Sequence, residues 1–362
     1  MTRGFKRFII KLNSLNEEGA AIAFKLKDLA RRLGVSPSTV SLALHNRPGV
    51  SEATRARVFE ALREEGLEAL IPAEKPPPRN VRLVLYKNGK EIITDTPFFL
   101  QLIEGIDRQA KKDGLNLMVS YLTAGPGVAE QVGKLRENGC EGIILLATEM
   151  TPEQTDPFRA LGLPLVALDE NFEEAGLDCV AISNALSMRR AVEHLLRLGH
   201  KRIGYLKGTP SIRNFTERFE GYRQAMAAAG LALPEGGIVE SAPSAEAAYT
   251  AMRRYLSELG KLPCTAYVAD NDNLLCGAMK ALREYDIAVP ERVSVVGFDG
   301  LPAAEFFDPP LTTIRVPKRQ MGGMAVSLLS ALMDGAYETP VAISVGTELI
   351  LRKSTAPPTL DE

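Results

Sequence analysis

The sequence predicts a small all-α head followed, after a proline-rich linker, by an α/β body of two doubly wound parallel-sheet lobes. Three observations carry this. The 362 residues exceed one ordinary domain of roughly 150, and 45% of them are hydrophobic, enough for packed cores rather than a disordered chain. Charge is unevenly spread: residues 1–82 hold 15 Lys and Arg against 9 Asp and Glu, a net +6, so the other 280 residues carry −8 inside a total of −2. Hydrophobic periodicity changes at the same place, from short helical segments to strands alternating with helices.

Residues 1–23 precede the helical pattern; Arg3, Lys6, Arg7 and Lys11 there fit either a basic arm against phosphates or an unstructured start. Over 24–34, FKLKDLARRLG places Leu26, Leu29, Ala30 and Leu33 at helical spacing and stops at Gly34. A second helix opens at Ser36-Pro37-Ser38-Thr39, with Ser36 as N-cap and Pro37 in the first turn, where its missing N–H costs nothing. Val40, Ala43 and Leu44 face inward. Ser51, Glu52 and Thr54 announce a third helix with Val58, Phe59, Ala61 and Leu62 on its apolar side. The alternatives are a generic three-helix bundle and a helix-turn-helix headpiece, whose second helix enters the DNA major groove. The tight glycine turn, the positive charge and the small polar residues at the start of the second helix favour the headpiece, here 24–68. The linker, 69–80, contains Pro72, Pro76, Pro77 and Pro78, which remove backbone donors and forbid a continuing helix.

From Val81 the strands VRLVLYK, NLMVSYL, GIILLAT, PLVALDE and CVAISN alternate with helices. After the helix NALSMRRAVEHLLRLG the scheme repeats with RIGYLKG, GIVESA, CTAYVAD and SVVGFDG. Apolar strands separated by helices mean parallel sheets covered on both faces, and this length exceeds one core. Ligands in such folds bind beyond the carboxyl ends of the strands. That rule selects Asp169, Asn271, Asp272 and Asp299, to which Arg218 adds a cationic fork. Carboxylates, an amide and a guanidinium around a cleft suit a small polyhydroxylated ligand, because each hydroxyl both donates and accepts. One of Asn271 and Asp272 alternatively caps the helix that starts there.

Other chemistries lack their residues. Cys140, Cys179, Cys264 and Cys276 are widely spaced, with no CxxC pair and no histidine at metal-ligand spacing; no metal and no cofactor is expected. Without an apolar run of 18 or more, the chain is expected to be neither secreted nor membrane-spanning, hence cytoplasmic. No Walker loop, GxGxxG or nucleophile elbow occurs, and His45, His194 and His200 are poor material for catalysis, so no catalytic residue is assigned and no enzyme is expected.

The segment LKDLARRLGVSPSTVSLALHNRPGVSEATRARV resembles the DNA-binding domain of the LacI/GalR family of bacterial transcription regulators. PFFLQLIEGI, LRLGHKRIGYLKG, ERFEGYRQAM, NDNLLCGA, VPERVSVVGFDG, PPLTTIRVPKRQMG and ELILRKSTAPP resemble that family's effector-domain motifs in the right order, so the likeness spans 24–358. It implies a body similar to periplasmic sugar-binding proteins, crossed by three chain segments: lobe 1 about 81–184 and 318–340, lobe 2 about 185–317 and 341–362. By motif position it implies base reading by Pro37, Ser38 and Leu42, and phosphate contact by Thr39, Ser41, Asn46 and Thr54, with helix capping as the alternative for Thr39 and Thr54. Asp169, Arg218, Asn271, Asp272 and Asp299 become effector contacts, with Phe98 or Phe99 as a stacking wall or a core residue. The implied function is a ligand-responsive repressor of carbohydrate-related genes. It would bind double-stranded, pseudo-palindromic operator DNA as a homodimer or tetramer, and its effector would be a sugar or sugar derivative. The alternative is a cytoplasmic sugar-binding protein or enzyme on the same two-lobe fold with a non-functional headpiece.

Two departures stand out. Ser183 replaces the family's usual Asp. GLEALIPAEKPPPRN replaces the usual hinge helix, whose leucine wedges into the minor groove; the proline run instead predicts a semi-rigid spacer with reduced wedging.

Overall fold

The computed structural model describes residues 25–45, 47–71, 78–89, 92–93, 97–137, 139–259 and 262–359. The expected extension over 1–23, Asn46, and the linker's Pro72, Pro76 and Pro77 lie outside them. The chain divides between residues 77 and 78 into two compact units.

The first unit contains α1 (25–32), α2 (Pro37–Leu44) and α3 (Glu52–Glu64). Gly34, at φ 66°, lets the chain leave α1 through a left-handed turn in which the Val35 N–H donates to the Ala30 carbonyl at 3.0 Å. Ser36 and Ser51 cap α2 and α3 by accepting the Thr39 and Thr54 amides at 3.0 and 3.2 Å. Leu26, Leu29, Val40, Leu44, Val58 and Leu62 form the core. Arg57 donates to the Leu33 carbonyl and Arg55 to the Ala43 carbonyl, so α3 holds both partners of the turn in place. The expected boundary at 68 falls short. A 3-10 turn (Glu68–Leu70) follows α3, and Leu67, Leu70 and Ile71 pack on the same core, because apolar side chains ending a helix find their nearest cover there.

The second unit holds two six-stranded sheets. The first runs β11-β5-β4-β3-β1-β2, where β1 is Asn80–Lys87, β2 Asn116–Thr123, β3 Gly142–Leu146, β4 Leu165–Leu168, β5 Asp178–Ile182 and β11 Ala342–Val345. The second runs β12-β10-β9-β8-β6-β7, where β6 is Ile203–Gly208, β7 Ile238–Ser241, β8 Ala266–Ala269, β9 Ser294–Asp299, β10 Thr312–Arg315 and β12 Glu348–Ile350. All pairs are parallel except β10 with β12. The doubly wound expectation holds, with this antiparallel edge as its exception.

Helices α4 (Pro97–Asp113), α5 (Val128–Glu137) and the single turn α6 (Asp156–Arg159) belong to the first lobe. The second has α7 (Asn184–Arg197), α8 (Arg213–Ala228), α9 (Ala245–Leu259) and α10 (Asp272–Glu284), and α11 (Lys318–Met333) returns to the first. The chain changes lobes after Ile182, after Arg315 and after Val345. The last of these corrects the expected return at 341: β11 pairs in parallel with β5, Cys179 opposite Ala342, so it still belongs to the first sheet.

Candidate functional site

On the head, α2 turns Val40, Ala43 and Leu44 inward. Ser38, Ser41 and Leu42, at i, i+3 and i+4, share another side, whereas Pro37, seven residues before Leu44, falls on the side that Leu44 turns inward. Thr39 and Thr54 are hydroxyl partners of the cap serines, at 2.9 Å from Ser36 and 2.8 Å from Ser51. Their amides satisfy the caps. Each hydroxyl therefore stands beside a helix N-terminus, the position at which backbone donors favour an anion.

In the body, the strand ends converge on a cavity of about 30 Å³ between the lobes. Asp169 follows β4 and Asp299 ends β9, both with left-handed backbones, φ 64° and 101°. Such conformations cost about 1–3 kcal/mol each for non-glycine residues and persist only where the surroundings enforce them. Thr148, Asn214, Arg218 and Asn271 complete the polar side; Ile92, Phe98, Phe99, Ile212 and Phe215 make the apolar side. Phe98 and Phe99 meet edge to face, centroids 5.1 Å apart. Apolar faces opposite polar edges suit a ring that is itself amphipathic.

A chain of buried hydrogen bonds crosses the cleft. Thr148 donates to Asp169 Oδ2 at 2.7 Å and Asn214 Nδ2 to the Asp169 carbonyl at 3.1 Å. Asn184 Nδ2 donates to Asn214 Oδ1 at 2.9 Å, and Arg218 Nε to Asn184 Oδ1 at 2.9 Å. The Arg218 guanidinium also bonds the Asp270 carbonyl, lies 3.6 Å from Asp299 and stacks 3.7 Å over the Phe298 ring. Lys318, at the start of α11, donates to the Asp299 carbonyl across the second lobe change.

Burial dominates the electrostatics. It pushes the Asp169 carboxyl up to about 7, although the Thr148 hydroxyl and Arg218 pull the other way. Asp270 also rises to about 7 by burial, opposed by bonds from Tyr205 and the Gly208 amide. Asp299 is raised by burial against Arg218 and Lys318, while burial lowers Lys318. Beside Asp169, Glu170 is raised to about 8 by burial, with Arg213 at 3.5 Å as its ion partner.

Of the residues expected around the cleft, Phe98, Asp169, Arg218, Asn271 and Asp299 line this cavity, and so does Phe99. Asp272 does not. Its carboxylate accepts from the Leu301 amide and the Thr313 hydroxyl, both at 2.7 Å, so it buttresses the turn after Asp299. A side chain on the first residue of α10 reaches β9 and β10 rather than the opening. Asn271 is the N-cap, accepting from the Leu274 amide at 2.9 Å. Sequence reasoning missed Thr148 and Asn214. Both had signals: Thr148 ends the strand GIILLAT, and Asn214 lies four residues before Arg218 on the same helix face. Ser183 precedes α7 without a side-chain cap, in keeping with its departure from Asp.

Residues 25–67 match the family model "bacterial regulatory proteins, lacI family", and 192–355 match a periplasmic binding protein-like domain. A transcriptional repressor named PurR from Haemophilus influenzae is 29% identical over 336 residues, covering 91% of this chain and 98% of that one. PurR from Pasteurella multocida is 28% identical over 333 residues, covering 91% and 98%. Among solved structures, a complex of the transcriptional regulator CelR with cellobiose aligns at TM-score 0.68 and 28% identity, covering 91% of this chain and 99% of that one. A lac repressor dimer bound to operator aligns at TM-score 0.69 and 24% identity, covering 91% and 98%, a likeness of fold.

Proposed function

Given that the chain is a LacI-family DNA-binding transcriptional regulator, whose relatives are repressors and not enzymes, we propose that it represses from a pseudo-palindromic operator as a homodimer and that the interlobe cavity takes a sugar-type effector. The observation that carries the effector half is the cavity itself, lined by Asp169, Asp299 and Arg218 together with Phe98 and Phe99. Carboxylates and a guanidinium match hydroxyls in both directions, and the rings cover C–H faces. The homodimer rests on operator geometry, since two half-sites call for two copies of the head. For the head, Ser38 offers the base edges a hydroxyl while Pro37 and Leu42 offer only apolar contact, so readout leans on thymine methyls and DNA shape. Ser41, Thr39 and Thr54, with Asn46, are its phosphate contacts.

A second reading, a purine-type effector, draws on the repressors named PurR and on the two phenylalanines. Thermal unfolding of the full chain with neutral sugars and, separately, purine bases decides between them. A true effector at 100 times its Kd stabilises by about 2.7 kcal/mol. Arg218→Ala should lose that shift and the ligand's effect on operator binding while keeping DNA affinity. Loss of DNA binding in this variant would mark Arg218 as structural.

A further inference from the structure

We propose that Glu149 is a positioning residue for the cleft: its carboxylate holds the backbone of Asn88, Ile92 and Ile93 onto the first lobe and so fixes Ile92 in the cavity's apolar wall. This rests on the reading of the cavity as the effector site. Glu149 follows β3 and is 1% exposed. A buried carboxylate persists only when hydrogen bonds replace its water. Three backbone donors do so: Asn88 N–H to Oε2 at 2.7 Å, and Ile92 and Ile93 N–H to Oε1 at 2.8 and 3.1 Å.

The clasp is itself held. Asn88 Nδ2 donates to the Glu149 carbonyl and to Gln154 Oε1, both at 3.3 Å, and Gln154 Oε1 also accepts the Thr151 amide at 2.9 Å. The preceding side chain, Thr148, goes the other way, to Asp169. One dipeptide therefore sets both sides of the cavity: Thr148 the polar side, Glu149 the apolar one. Two carboxylate oxygens can accept from several backbone amides at once, which suits one side chain holding Asn88, Ile92 and Ile93. Glutamine keeps one acceptor oxygen but turns an NH2 toward a backbone N–H.

Hydrogen exchange on the full chain tests this. In Glu149→Gln the amides of Asn88, Ile92 and Ile93 should exchange at least about tenfold faster than in wild type, with β3 and β4 unchanged. Unchanged exchange at those three amides overturns the proposal, and so does equal acceleration throughout the lobe, which marks a merely structural carboxylate. Should that variant fail to fold, Gln154→Ala loosens the same clasp from its outer side. It should speed exchange at Asn88 and Ile92 about threefold, and no change there is equally fatal. D-glucose and cellobiose, titrated into wild type, test the underlying reading separately. If neither stabilises the chain, the sugar assignment fails while exchange still decides the role of Glu149. If one does, Glu149→Gln should weaken its binding about tenfold through faster dissociation, and undiminished affinity overturns the positioning role.

Discussion

Asp169 concentrates the chemistry of the cleft in one side chain. It sits on a left-handed backbone, accepts from Thr148, and is bonded from the opposite lobe through Asn214. Its carboxyl is raised to about 7, against an ordinary value near 4, so the folded state holds a proton that the unfolded chain releases. The stabilisation from that proton is complete below about pH 4 and is lost as pH rises toward 7. Denaturant unfolding from pH 4 to 7.5 should therefore show stability falling with pH, and Asp169→Asn should make the fall shallower. An unchanged slope would mean that the other raised carboxyls, Glu170, Asp270, Asp272 and Asp299, account for it. At this scale the sequence was a good guide where a polar residue ends an apolar strand, as at Asp169 and Asp299. It failed at Asp272, because residue type and strand-end position do not tell toward which neighbour a helix-start carboxylate points.

Between elements, glycines decide how closely helices approach. A Cβ at Gly105 would overlap the Arg319 carbonyl, and one at Gly322 the Leu102 carbonyl, so α4 and α11 cross at backbone contact. The motifs IEGI and RQMGG thus have a packing reason. Gly105→Ala has no flexible side chain to displace, and overpacking of this kind costs about 1–3 kcal/mol or more. That corresponds to a fall in Tm of at least about 2 °C, to be read by calorimetry; a neutral result would show that the two helices can part. Elements were legible wherever the hydrophobic period was long, as in α4, α8 and α10. The last two strands were not resolved in the same way. AISV and ELI are three or four residues each, separated by Gly346-Thr347, and nothing in their composition says that β11 extends the first sheet and β12 the second. Pairing of such short segments is set by the sheet edge left open beside them.

For the whole molecule, the uneven charge and the repeated strand-helix scheme anticipated a basic head and a two-lobed body, since both follow from sums over many residues. The cavity's size did not follow from them. At about 30 Å³ it has room for roughly one water, so any effector of sugar size must enter with the lobes apart, turning on the three segments after Ile182, Arg315 and Val345. On the proposed function, effector binding is a shift between lobe arrangements, effective only so far as the ligand distinguishes them. The most direct test of the account is selection of duplex DNA from a randomised pool by the full chain, followed by affinity measured from 50 to 200 mM KCl. The account predicts an enriched inverted repeat whose binding weakens by at least about 10³ over that range, as release of counterions from several phosphates requires. No enriched repeat, or an affinity indifferent to salt, would contradict it.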